Sequence, residues 1–232
     1  MPIFFDPLYL LIMAVGLVLS LGAQGWVKAA TARWDRVPIG RGLTGADVAA
    51  AILRARGVQG VTIEQVGGVL TDHYDPRSKT LRLSPSNFSG RSVTAAGIAA
   101  HEVGHALQHH DGYALMRLRQ ELVPVANIGT NIGVWMVIIG GFLGTAGLAK
   151  LGVLLFAGFV LFTLVTLPVE IDASLRARKA LRTLKLVNER ESRGVQQVLM
   201  AAAATYLAAA VTAILQLAYW ALRAGMLGGS DD

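Results

Sequence analysis

Residues 101–105 read His-Glu-Val-Gly-His. In a helix of 3.6 residues per turn, His101 and His105 share one face, and their imidazoles can reach one point. Glu102 then stands beside whatever the imidazoles hold. Two nitrogen ligands with a neighbouring carboxylate suit zinc-assisted attack of water on a peptide bond, with Glu102 as general base. The pattern also recurs by chance, so its surroundings decide. From Ala95 to Leu107 the chain has no other charged residue and no proline, and Ser92 is placed to cap the helix start. The small apolar neighbours predict a buried helix, in which polar groups need partners such as a metal.

The rest of the chain must position that helix, and its composition points to a membrane. Of 232 residues, 53% are hydrophobic and only 16% are charged, against about a quarter in soluble domains. Cysteine is absent, so disulfides and thiolate metal sites are excluded and a metal must use His and carboxylate ligands. The net charge of +6 does not mark a nucleic-acid binder, because the basic residues are not interleaved with aromatics.

Four apolar segments approach the roughly 20 residues that span a hydrocarbon core: about 7–27, 123–149, 151–169 and 200–222. The fourth is alanine-rich and carries Thr205, Thr212 and Gln216, so it also reads as a buried helix of a membrane-embedded domain. The first lacks a basic leader and carries Asp6, which predicts a retained anchor. Twelve Lys/Arg lie between the first and second spans and seven between the third and fourth, whereas the other side holds only Lys150 and Arg223. The positive-inside rule then predicts cytoplasmic segments at about 28–122 and 170–199. Residues 1–232 read as a single integral-membrane domain: a mainly α polytopic fold with about four transmembrane helices and a zincin-like cytoplasmic core.

A catalytic zinc usually takes three protein ligands. His109 shares the helix face but lies too far along a straight helix to close the set. Glu170 and Asp172 remain, just beyond the third span and on the same predicted side as the histidines. Glu170 ranks first because it follows Pro168-Val169, where a helix can bend to aim it. Its other reading is an interfacial carboxylate paired with Arg176 or Lys179. Asp172 suits an acceptor for an N–H of a ligating imidazole, or a salt bridge to Arg176.

At these residues the sequence resembles the neutral zinc metallopeptidases of the YugP-like bacterial membrane family. The matching stretches are Gly42-Leu-Thr-Gly-Ala-Asp-Val-Ala, residues 70–84, the His101–His105 helix, Val123-Pro-Val-Ala-Asn and Leu167-Pro-Val-Glu-Ile-Asp-Ala-Ser. The resemblance implies a membrane protease with cytoplasmic zinc. It is similar more distantly to gluzincin membrane proteases, which carry Glu-x-x-x-Asp after the HExxH helix. Glu170 matches that glutamate, but the aspartate position is Ser174, which leaves Asp172 as a substitute.

Residues 61–64 and 80–84 alternate like strands, and Asp75-Pro-Arg-Ser-Lys is a turn signal. This predicts a small antiparallel sheet, or a hairpin, just before the zinc helix. Its edge could align a substrate by strand addition, or merely cover the helix. His73 and Tyr74 are candidate oxyanion donors there, with Tyr74 also a candidate substrate contact. A histidine so placed is as readily a plain exposed one. His109 and His110 read as solvated helix-end residues, and Arg117 and Arg119 as orienting charges before a span. Residues 43–57 predict an amphipathic packing helix capped by Thr44 and stopped by Gly57.

The reading that joins these features is a zinc-dependent endopeptidase of the bacterial cytoplasmic membrane acting on protein or peptide substrates. His101, His105 and Glu170 are its expected ligands. A non-hydrolytic zinc scaffold or assembly subunit would need the ligands but not Glu102. A transporter is disfavoured because the spans carry few polar groups. The glycine-rich second span permits close helix packing, within the chain or between subunits of an assembly.

Overall fold

The computed structural model describes residues 6–69 and 71–227; Leu70, within one of the family-like stretches, lies outside them. In chain order the elements are α1 (Pro7–Asp35), α2 (Gly45–Ala55), β1 (Thr62–Gln65), β2 (His73–Asp75), β3 (Thr80–Leu83), α3 (Pro85–Phe88), α4 (Val93–His110), α5 (Ala114–Ile128), a π-helical stretch (Gly129–Gly133), α6 (Val134–Phe142), α7 (Ala146–Thr183) and α8 (Glu189–Arg223). Four helical stretches are long and apolar enough to cross a membrane: Pro7–Asp35, Ala114–Phe142, Ala146–Thr183 and Glu189–Arg223. The chain divides into two compact units, each assembled from separate segments.

Among the described residues, the first unit comprises 6–23, 117–168 and 205–227. Close backbone approach holds its helices: a Cβ on Gly129 would lie 2.5 Å from Leu155 O, and one on Gly140 would lie 2.5 Å from Ala149 N. These glycines of the second span therefore pack within the chain, as small residues do between membrane helices. Phe156 meets Trp220 edge-on at 4.6 Å inside. Leu17, Val18, Trp135 and Phe142 face outward, as a hydrocarbon solvent requires. The second span ends earlier than hydropathy alone suggests. Gly144 adopts φ +68, the chain turns, and residues 146–149 open α7 instead.

The second unit comprises residues 24–116 and 169–204. Thr44 caps α2 through a capping box: its Oγ1 accepts Asp47 N, and Asp47 Oδ2 accepts Thr44 N. Gly57 follows with φ +66. The predicted hairpin forms as β2 and β3, antiparallel with Tyr74 opposite Leu81. Asp75 builds its turn by accepting Arg77 N (2.9 Å) and Ser78 Oγ (2.7 Å). The all-antiparallel expectation fails for β1, which pairs parallel to β3, giving the order β1-β3-β2. Alternation marks a strand without naming its partner. Here β3 takes the centre because Leu81 and Leu83 are both 0% exposed.

α4 begins at Ser92, whose Oγ accepts Ala95 N (3.0 Å) and donates to Asp35 Oδ1 (2.8 Å) at the end of α1. Nine of its fourteen buried residues are alanine, glycine or valine, so neighbouring backbones come close. A Cβ on Gly104 would lie 2.4 Å from Ala173 O of α7. α8 begins with Asn188 and Glu191 capping each other, and Glu191 Oε1 also accepts Gly40 N at 2.8 Å.

Candidate metal centre

His101 and His105 project from α4 toward Glu170 on α7. His101 Nε2 lies 3.2 Å and His105 Nε2 3.5 Å from the same carboxylate oxygen, Glu170 Oε2. The ligand atoms all fall within 4.8 Å of one another. Zinc held tetrahedrally by nitrogen and oxygen at about 2.05 Å separates its donors by about 3.3 Å, so the trio fits that ion. The side chains are 14%, 9% and 3% exposed, respectively. Burial opposes protonation of His105, but the Glu170 carboxylate beside it, with Glu102 near, outweighs burial and holds its pKa above the ordinary imidazole value.

The other ring nitrogens are also held. His101 Nδ1 lies 3.1 Å from Ser174 Oγ, and His105 Nδ1 lies 3.0 Å from Gln108 Oε1. The second contact has a fixed polarity. Gln108 Nε2 donates to Val169 O (2.7 Å) and Asp172 Oδ2 (2.8 Å), and neither oxygen has a proton to offer. The amide oxygen must therefore face His105 and accept its Nδ1–H, which leaves Nε2, beside Glu170 Oε2, as the nitrogen available to a metal. Asp172 is fixed in turn by Arg176, which also pairs with Asp111 and lies 5.8 Å from the Tyr113 ring centre.

Asp172 thus acts one bond further out than expected: it holds Gln108 rather than an imidazole, and it also makes the alternative salt bridge to Arg176. Gln108 is not among the candidate residues read from the sequence. Its signal was a lone amide in an apolar, buried helix, which needs partners. Ser174 was visible as a departure from the family's aspartate, four residues after Glu170 and so on the same helix face.

Glu102 is 8% exposed, and no hydrogen bond ties its carboxylate among the described residues. His73 is exposed; its Nδ1 lies 2.7 Å from Thr71 O, and its Nε2 contacts Arg82 at 3.5 Å. Tyr74 is buried, with its hydroxyl 2.9 Å from His109 Nδ1. Neither residue joins the His101–His105–Glu170 cluster. His109 is half-buried rather than solvated because that tyrosine covers it. β2 is an edge strand of the sheet.

Replacing Gln108 with Ala should lower zinc affinity by about 10- to 100-fold while leaving one ion per chain at saturation. Competition titration against a chromophoric chelator checks this, and unchanged affinity would remove the amide from the site.

The sequence matches a protein family described as "Putative neutral zinc metallopeptidase" over residues 9–225. It is also similar to a protein of Bacillus subtilis (strain 168) named "Putative membrane protease YugP", with 40% identity over 225 residues, covering 97% of this chain and 98% of that protein. No solved structure matches.

Proposed function

We propose that the chain, which belongs to the putative neutral zinc metallopeptidase family, is a zinc-dependent endopeptidase of the bacterial cytoplasmic membrane. One observation carries the reading. Two Nε2 atoms and one carboxylate converge within zinc-ligand distances, and Glu102 stands beside them with its carboxylate untied. His101, His105 and Glu170 would hold the ion. Bound zinc supplies Lewis acidity toward the scissile carbonyl and the attacking water.

The remaining steps fall to the chain's own groups. Glu102 accepts a proton from the water as its oxygen bonds to the carbonyl carbon, then returns it to the amine as the C–N bond breaks. The two transfers balance, and Glu102 ends as it began. The β2 edge offers unpaired main-chain groups with which an extended peptide could pair. The concentration of Lys and Arg in residues 28–122 and 170–199 supports a zincin-like site facing the cytoplasm and substrates that are membrane-associated or exposed there. A non-hydrolytic scaffold gives no reason to keep a buried, unpaired Glu102, since burying an unpartnered carboxylate is costly.

The test uses purified full-length protein in detergent with an unbiased peptide library and mass-spectrometric readout. Cleavage should stop on chelation and return on adding stoichiometric zinc. Cleavage that persists in chelated, zinc-free protein would overturn the reading.

A further inference from the structure

A cavity of about 850 Å³ opens where α7 ends and α8 begins, lined by Arg178, Lys179, Arg182 and Lys185 together with Glu189 and Ser192. Four cations thus face one carboxylate. None of the four forms an ion pair among the described residues. The seven basic residues of this segment suffice to orient a membrane protein wherever they point, so topology does not explain why four of them gather around one hollow.

Two further features lie in the same place. Arg178 donates one guanidinium N–H to Gln196 Oε1 (2.7 Å), but its Nε is buried without a hydrogen-bond partner. It is the one such side-chain atom among the described residues. Lys185 takes φ +51 at the C-terminal turn of α7, where its N–H bonds Arg182 O and Leu186 N bonds Leu181 O. Glycine normally fills that position because it has no Cβ to strain. A lysine is held there at a conformational cost, and it adds a charge to the cavity.

We infer that this cavity binds a phosphoryl group, carried by a soluble phosphorylated molecule or a lipid headgroup. The volume falls within the range of small-ligand sites. Guanidinium forks match phosphate oxygens in pairs, and lysines add point charge beside them. An acceptor arriving in the cavity relieves the mutual repulsion of the cations. The site is separate from the metal centre and does not depend on peptidase activity.

Calorimetric titration of the full-length protein in a neutral detergent with inorganic pyrophosphate tests it. Saturable one-site binding is expected. The double variant Lys179→Ala/Arg182→Ala should lose at least tenfold in affinity with an unchanged melting temperature, since both side chains are exposed. Arg54→Ala, an exposed cation outside the cavity, should bind as wild type. Competition by phosphatidic acid doped into the micelles identifies a lipid headgroup as the source; binding indifferent to it identifies a soluble one. Absent saturable binding, equal binding by the double variant, or equal competition by polyglutamate would overturn the inference.

Discussion

Glu102→Gln should reduce peptide hydrolysis on the order of a thousandfold while leaving one zinc per chain, because general acid–base transfer contributes about 10²–10⁴ and the amide cannot take the proton. The expectation rests on placement. Glu102 shares α4 with both histidines, is nearly fully buried, and is bound to no other side chain among the described residues. A structural carboxylate at such depth would have a partner, as the buried Glu191 has Gly40 N and Asn188 N. Zinc content by elemental analysis and cleavage rate on one purified sample decide it. Full activity would remove Glu102 from the chemistry. Loss of zinc together with activity would make it a support for the ligands instead.

Gly104→Ala should disturb the same site through packing alone. A methyl there would sit 2.4 Å from Ala173 O and 2.9 Å from its carbonyl carbon, both backbone atoms that no rotamer change can move. α4 and α7 must separate locally. The expected cost is about 1–3 kcal/mol of stability, as for overpacked cores. The larger effect falls on the metal: His105 is the next residue on one helix, and Glu170 is three residues before Ala173 on the other. A misplacement of about 1 Å between such groups lowers activity about 100-fold. Thermal melts and zinc titration read both effects. Gly22→Ala, where an added Cβ meets nothing within 4 Å, is the control and should behave as wild type. A Gly104→Ala protein with unchanged melting and zinc affinity would mean that the two helices are not held at this distance in solution.

Much of the architecture was legible because it is local. Ser92, Thr44 and Gly57 act within one helical turn of their own position, so residue type and spacing located both helices. Four apolar runs gave four helices long enough to span, although the second ends at Phe142 because Gly144 turns the chain, which hydropathy does not register. The β2–β3 hairpin followed from its turn residues. The parallel pairing of β1 did not, because β1 and β2 take opposite edges of β3, and that arrangement has no residue signature.

The amino-acid sequence alone determined the His101–Glu102–His105 constellation, since an i, i+4 pair shares a face on any helix. It also singled out Glu170 as the carboxylate expected to complete the ligand set. The tertiary structure alone decided that one oxygen of Glu170 stands between both imidazoles, that Ser174 and Gln108 hold their far nitrogens, and that Asp172 acts through Gln108. The reason is physical. Helical periodicity is a property of the chain at short range, whereas the approach of α4 to α7 depends on the absence of a side chain at Gly104, and only the folded packing shows what that absence lets in.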